Sequence, residues 1–273
     1  MLIAQITDPH IKAKGKLAYQ KVDTENNLRR CVTHVQSLVP RPDLVLVTGD
    51  LTDFGRPEEY ALFRTLMAPL GIPFYVIPGN HDTREGMRQA FTDHLYLPPD
   101  GDYLQYAIED YAVRLIGLDT TVPGRPEGKL CADRLFWLDT VLKQEPLKPT
   151  LLFMHHPPIE TGIEHMDVQN CQDGKALGDL LEDHSQVFQL LCGHVHRPIH
   201  TQWRGVTVTI APSASHYVAL DVQPGGPSCF TLEPPSVQLH QWRNDGELIS
   251  HLSFVGSFNG PHPFFDADGR LID

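Results

Sequence analysis

Cysteine is scarce in this chain and is never spaced as a metal site or a bridge would need. Five of 273 residues are cysteine (Cys31, Cys131, Cys171, Cys192 and Cys229), an odd and scattered set without a Cys-x-x-Cys pair. A thiolate zinc cluster and a disulfide framework are thereby disfavoured, and reduced thiols in a cytoplasm are expected. Basic charge is short as well. Lys and Arg number 22 against 34 Asp and Glu, a formal net charge of −12, with no Lys/Arg cluster. Gripping a phosphate backbone needs the opposite balance, so no nucleic-acid polymer is expected as a partner. Small anionic substrates stay within reach, because bound cations reverse the local field. No run approaches the roughly 20 apolar residues of a membrane-spanning helix. The opening Met1-Leu2-Ile3-Ala4-Gln5-Ile6 has neither the basic start nor the long apolar core of a secretion signal, so no membrane partner is expected. Two enzyme classes drop out on missing motifs. Gly-x-Gly-x-x-Gly does not follow the first strand, and Gly-x-Ser-x-Gly is missing, which disfavours a dinucleotide enzyme and a serine hydrolase.

What is present is enough for a folded core, with 41% hydrophobic and 21% charged residues. The length allows one large domain, or a main domain with an appendage. Leu2 to Thr7 reads as a strand, and a helix capped by Asp23 follows with Leu28, Cys31, Val32 and Val35 at helical spacing. Asp43 to Thr48 is a second strand. Arg56-Pro57-Glu58-Glu59 opens a second helix, with proline and acids where a first turn wants them. Phe74 to Ile77 is a third strand. This β-α-β-α-β alternation implies parallel strands covered by helices. A weak helix is expected from Asp82 to Leu97, and a hairpin from Leu104–Ile108 with Tyr111–Leu118. Further helices are expected at Cys131–Leu142 and Asp173–Asp183, and strands at Thr150–Met154 and Val187–Cys192. Beyond about residue 200 short β-like runs alternate with Pro/Gly-rich pieces such as Pro224-Gly225-Gly226-Pro227. The division expected is 1–200 for the main domain, completed by late strands near 248–256. Residues 201–273 then supply sheet-edge strands and a small cap or interface arm.

Five strand ends carry residues that bind metals. They are Asp8-Pro9-His10, Gly49-Asp50, Pro78-Gly79-Asn80-His81-Asp82, His155-His156 and Gly193-His194-Val195-His196. In open α/β sheets the carboxyl ends of strands are where ligands bind. Two divalent cations about 3.5–4 Å apart can clamp a phosphoryl centre, given a bridging carboxylate and mixed nitrogen and oxygen donors. Asp8, His10, Asp50, Asn80, His155, His194 and His196 supply that set. Imidazole and carboxylate suit Fe, Mn, Zn or Co. His156 is expected in a structural role, and Tyr19, Trp203 and Tyr217 in packing. The remaining histidines, His165 and His240 among them, are expected in ordinary surface or core positions.

The ordered set Asp-x-His, Gly-Asp, Gly-Asn-His-Asp, His-His-Pro-Pro and Gly-His-x-His resembles the calcineurin-like metallophosphoesterase superfamily. More narrowly it is similar to the class III cyclic-nucleotide phosphodiesterases and the bacterial glycerophosphodiesterases. The resemblance implies a four-layer α/β/β/α sandwich. It also implies one ion held by Asp8, His10, Asp50 and His196, and another by Asp50, Asn80, His155 and His194, with Asp50 bridging. Where protein phosphatases of the superfamily carry Gly-Asp-x-x-Asp-Arg-Gly, this chain reads Gly49-Asp50-Leu51-Thr52-Asp53-Phe54-Gly55. The missing arginine favours diesters, with their single negative charge, over monoesters.

The activity expected is therefore metal-dependent hydrolysis of a small phosphodiester, a cyclic nucleotide or a glycerophosphodiester, by a hydroxide generated on the ions. Asp50 and His81 are the expected catalytic residues, His81 protonating the leaving group or holding a phosphoryl oxygen. Asp82 is expected to orient His81, and Asn80, His81 and His216 to bind substrate. The alternatives are a phosphomonoesterase or nuclease of the same superfamily, or a non-catalytic scaffold. A homo-oligomer is expected, with Phe258, Phe264 and Phe265 in its interface.

Overall fold

A computed structural model describes residues 1–243 and 245–272. Asn244 and Asp273, both inside the 201–273 region, lie outside the described residues. In chain order the first half runs β1 (Leu2–Ile6), α1 (Thr24–Ser37), β2 (Leu44–Val47), α2 (Pro57–Met67), β3 (Phe74–Val76) and α3 (Arg84–Ala90). Next come β4 (Tyr106–Ile108), β5 (Arg114–Leu118), α4 (Ala132–Gln144), β6 (Thr150–Met154), α5 (Glu164–Asp167), α6 (Gly174–Leu181), β7 (Val187–Cys192), β8 (Ile199–Trp203) and β9 (Val206–Ile210). The remainder is all strand, with β10 (Tyr217–Val218), β11 (Phe230–Thr231), β12 (Ser236–Trp242) and β13 (Leu248–Phe254).

Two large sheets form. One has the order β13-β12-β1-β2-β3 and the other β4-β5-β6-β7-β9-β8. The central strands β1, β2 and β3 are parallel, as are β5, β6, β7 and β9, with antiparallel strands at the edges. The sequence reason is period-two patterning on strands buried on both faces. In β6, Leu151 and Phe153 join the core that includes the first sheet, while Leu152 and Met154 pack with α4 and α6. Leu191 of β7 faces the first sheet, and Leu190 and Cys192 face the helices. With α1, α2 and α3 on the first sheet, the layers are α/β/β/α.

Local chemistry places the helices. Asp23 accepts a hydrogen bond from the Asn26 backbone N–H (3.0 Å) and starts α1, which buries Leu28, Cys31, Val32 and Val35. Glu59 accepts from the backbone N–H groups of Phe54 (3.0 Å) and Arg56 (3.3 Å), closing the turn before α2. The helix expected over 82–97 occupies only Arg84–Ala90. Thr83 caps it by accepting from the Gly86 N–H (3.1 Å), and it gives way to turns from Phe91. The short α5 lies in a stretch where no helix was expected. β12 pairs antiparallel with β1 and β13 adds beyond it, so the chain returns at its end to finish the first sheet.

Candidate metal centre

The carboxyl ends of β1, β2, β3, β6 and β7 converge at one edge of the sandwich. Asp8 and His10 follow β1, Asp50 follows β2, and Asn80 and His81 follow β3. His155 follows β6, and His194 and His196 follow β7. The loops are pinned to one another by backbone bonds. Asp8 N–H donates to Gly49 O (3.2 Å), His10 N–H to Asp50 O (3.0 Å), and Gly193 N–H to His155 O (3.0 Å).

The seven expected ligand residues come together with their donor atoms facing one another. His10 Nε2 lies 3.2 Å from His196 Nε2 and 3.4 Å from Asp50 Oδ2, and His196 Nε2 lies 3.2 Å from Asp8 Oδ1. His155 Nε2 lies 3.1 Å from Asn80 Oδ1 and 3.5 Å from the same Asp50 Oδ2. One carboxylate oxygen of Asp50 therefore adjoins both groups of donors. Donors about 2.1 Å from a shared cation stand roughly 3 Å apart, which is the spacing seen here. His194 Nε2 supports the same reading, being buried with no hydrogen-bond partner.

The other ring nitrogens are tied down. His155 Nδ1–H donates to Thr48 O (2.8 Å) and His196 Nδ1–H to His216 O (3.0 Å), while His10 Nδ1 meets Asp53 Oδ1 (3.2 Å). Such anchoring fixes the tautomer, orients the ring and leaves Nε2 free to ligate. The donors, their spacing and the orphaned nitrogen fit a pair of divalent cations.

Electrostatics shows why these groups need cations. Burial pushes the His194 imidazole down to about 3, with His155 adding to the effect. Burial also works against the charged form of His155, but the Asp50 carboxylate outweighs it and lifts the ring to about 9. Asp8 and Asp50 are fully buried, which opposes ionisation, yet the surrounding imidazoles hold both below the usual carboxylate range. Two buried carboxylates among imidazoles are costly unless positive charge compensates them.

Around this centre some expectations change. Asp82 does not orient His81. Its carboxylate accepts from Leu51 N–H (3.0 Å), Gly79 N–H (3.0 Å), Thr52 N–H (3.2 Å) and Tyr60 O–H (3.1 Å), and so shapes the loops. A carboxylate with that many backbone donors has no oxygen left to reach the next side chain. Asp53 takes the orienting role. His81 Nδ1–H donates to Asp53 O (2.8 Å), while the Asp53 side chain joins His10 to Lys12 Nζ (2.7 Å). Nothing in the sequence marked Asp53 for this, because the contact depends on how the loops after β2 and β3 pack. His156 is held at both nitrogens, by Thr120 Oγ1 (2.7 Å) and Pro126 O (3.0 Å), which leaves neither for a metal.

Two cavities open beside the centre and share Asn80 and His81. One, of about 390 Å³, is lined by Tyr19, His216, Phe230, His165 and Gln169. The other, of about 710 Å³, is lined by Phe54, Arg84 and the 121–126 loop. His165, expected in an ordinary position, thus faces the site, as does Tyr19, expected to pack. Trp203 packs at the edge of the second core, and Tyr217 is buried, its hydroxyl donating to Pro234 O (3.1 Å). The His216 ring contacts His10, His196, Tyr19 and Phe230, and burial pushes it down to about 2.

The sequence model of the calcineurin-like phosphoesterase family matches residues 1–198. A probable glycerophosphodiester phosphodiesterase of Arcobacter nitrofigilis is 48% identical over 100% of both chains. A 3′,5′-cyclic adenosine monophosphate phosphodiesterase of Pseudomonas aeruginosa is 31% identical over 93% of this chain and 90% of its own. Among solved structures, a dimetal phosphatase from Danio rerio superposes with a TM-score of 0.65 at 14% identity, over 94% of this chain and 99% of that one, a likeness of fold.

Proposed function

This chain belongs to the calcineurin-like phosphoesterase family, and from that premise we propose that it hydrolyses small phosphodiesters, glycerophosphodiesters ahead of 3′,5′-cyclic nucleotides. It is a phosphoric diester hydrolase. The order of substrates rests on one observation, the 48% identity along the full length of a probable glycerophosphodiester phosphodiesterase. Phe54 agrees with a diester, standing where the protein phosphatases of the superfamily carry arginine. Its ring lies under Lys12 Nζ (3.9 Å), whose charge is already paired with Asp53.

Asp8, His10, Asp50 and His196 would hold one ion, and Asp50, Asn80, His155 and His194 the other, as Fe, Mn, Zn or Co. Bound there, the ions supply positive charge to the phosphoryl oxygens and acidify water. The chain's own residues do the rest. Asp50 places Oδ2 between the two donor groups, while its Oδ1 accepts from His81 N–H (2.9 Å) and fixes the loop. The carbonyl of Asp53 keeps a proton on His81 Nδ1. Although burial opposes the charged ring, the Asp50 carboxylate and Asp53 raise its pKa, so the imidazolium carries a second proton on Nε2, the one it hands to the departing alkoxide. Asn80 turns Oδ1 to His155, which leaves its amide N–H groups for a phosphoryl oxygen. His216, neutral by burial, offers a hydrogen bond on the opposite side of the cavity.

The test is hydrolysis by metal-depleted protein resupplied with Mn²⁺, comparing bis(p-nitrophenyl) phosphate with p-nitrophenyl phosphate and using Asp50→Ala as the blank. Diester cleavage dependent on metal and on Asp50 is expected, and glycerophosphoethanolamine should then outrun cAMP. Monoester preference would overturn the diester reading. No turnover of either with ions bound would leave a binding scaffold. We also propose a cytoplasmic homo-oligomer in which residues 201–273 supply the interface arm.

A further inference from the structure

The expectation that basic residues do not cluster overlooks one loop. Four of the eight lysines, Lys12, Lys14, Lys16 and Lys21, fall within residues 12–21, which hold no acid. The loop is anchored at both ends beside the metal centre. At its start Ile11 N–H donates to Leu51 O (3.1 Å) and Asp53 N–H to Ile11 O (3.1 Å). Lys12 is thereby set against Asp53 and over the ring of Phe54, which lines the larger cavity. At its end Ala18 and Val22 exchange two backbone hydrogen bonds (both 2.9 Å), around a turn in which Tyr19 and Gln20 take positive φ. That turn sets the Tyr19 ring against His216 (5.2 Å between centroids) and Phe230 (5.1 Å) in the other cavity. The loop runs from one cavity to the other.

Its remaining lysines are exposed and uncommitted. Lys12 is paired with Asp53, Lys143 with Asp139, Lys148 with Glu109 and Lys175 with Asp179. Among the described residues no carboxylate pairs with Lys14, Lys16 or Lys21, all three of them exposed. The acids that share a surface hollow with Lys16 are engaged elsewhere. Asp23 caps α1 through Asn26 N–H (3.0 Å), and Glu25 is paired with Arg29 (2.7 Å).

We infer that the 12–21 loop is an electrostatic collar, in which Lys14, Lys16 and Lys21 gather substrates of net negative charge at the site. The inference rests on the phosphodiesterase reading above and narrows it. A chain of net charge −12 repels anions on average, so an anionic substrate needs a local reversal of the field to approach. Three free ammoniums on one anchored loop supply it over about a Debye length, roughly 10 Å at 0.1 M salt. Diesters whose second alcohol is uncharged, such as glycerophosphoglycerol, carry one net negative charge and gain from the collar. Zwitterionic diesters such as glycerophosphocholine are neutral overall and gain little. The three lysines touch no reacting atom, so their effect falls on capture and not on turnover.

The test combines Lys14→Gln, Lys16→Gln and Lys21→Gln in the metal-loaded full chain, with Lys→Arg at the same three positions as the charge-keeping control. At low ionic strength kcat/KM for glycerophosphoglycerol should fall about tenfold with kcat unchanged, the lower end of what steering supplies. At about 0.5 M salt the loss should shrink below twofold, because screening then does what the substitutions do. Glycerophosphocholine should change little at either salt, and the arginine control should match the wild type. Equal losses on both substrates, or a wild-type salt dependence retained in the glutamine variant, would overturn the inference and leave the reaction standing. A second measurement needs no turnover. An anionic nitroxide should broaden the amide NMR signals of residues 12–21 more than a cationic one, and that excess should vanish in the glutamine variant. Equal broadening by both probes in the wild type would sink the collar even if no diester were hydrolysed.

Discussion

Asp8, His10, Asp50, His194 and His196 all adopt positive φ, between 47° and 70°. For side chains with a Cβ this region costs about 1–3 kcal/mol per residue, and it persists only where the surroundings enforce it. Asp and His tolerate it better than most, so the residue types that ligate metals also suit these tight turns. The enforcement is close packing. A Cβ on Gly79 would run into the Asp50 carboxylate, and Gly49 has φ +95° with the His155 ring against it. Gly79→Ala should therefore displace Asp50 and lower metal affinity roughly 10–100-fold, measured by ion titration of the purified variant. His81→Ala should cut kcat by about 10²–10⁴-fold on a glycerophosphodiester, whose alkoxide needs a proton. The loss should be much smaller on bis(p-nitrophenyl) phosphate, whose leaving group does not. An equal loss on both would remove the acid role. The types and order of these residues could be read from the chain, because ligand chemistry is local in character. That Asp53, not Asp82, holds His81 could not, because adjacency in sequence says nothing about which carboxylate the loops have already used.

Between the sheets, β1, β7, β8 and β12 share a polar layer rather than a purely apolar one. Gln5 Nε2 donates to Thr48 Oγ1 (3.0 Å) and Cys192 O (3.0 Å), which leaves Gln5 Oε1 to accept from His240 Nε2–H (3.1 Å). Ser250 Oγ meets the other nitrogen of His240 (2.8 Å), and Gln238 Nε2 reaches His200 on the opposite sheet (3.2 Å). His240 is fully buried, and burial pushes it from 6.5 down to about 3. The native ring is then neutral where the unfolded one is charged. Below pH 6.5 the unfolded chain binds the extra proton, so stability falls as pH drops from 6.5 toward 3, by at most about 1.4 kcal/mol per unit. His240→Gln should flatten that part of the stability curve in denaturant titrations, and an unchanged slope would mean that His240 does not carry it. Helices α1, α2, α4 and α6 and the central strands were plain in the sequence from caps and apolar periodicity, whereas α3 is shorter than its expected 82–97. The short α5 was not, since four residues carry too little periodicity to register.

For the whole molecule, the exposed apolar surface gathers late in the chain. Phe254, Phe258, Phe264 and Phe265 are all exposed, and β13 presents an open sheet edge. These exposed rings are the side chains that the proposed interface between copies would cover. Phe264→Ser with Phe265→Ser should lower the mass measured by light scattering while metal binding persists, and a wild-type monomer would remove the interface. None of the described helices is long and apolar enough to cross a membrane. The sequence by itself determined which residues could ligate metals, that they fall at strand ends, and that parallel strands alternate with helices. Those features rest on side-chain chemistry and on spacing along one element. Tertiary structure alone decided that candidate ligands 186 residues apart, such as His10 and His196, meet at 3.2 Å, and that β12 returns to pair with β1. Each of these depends on how two sheets stack and which loops collide, and such distances are fixed only when the whole core closes.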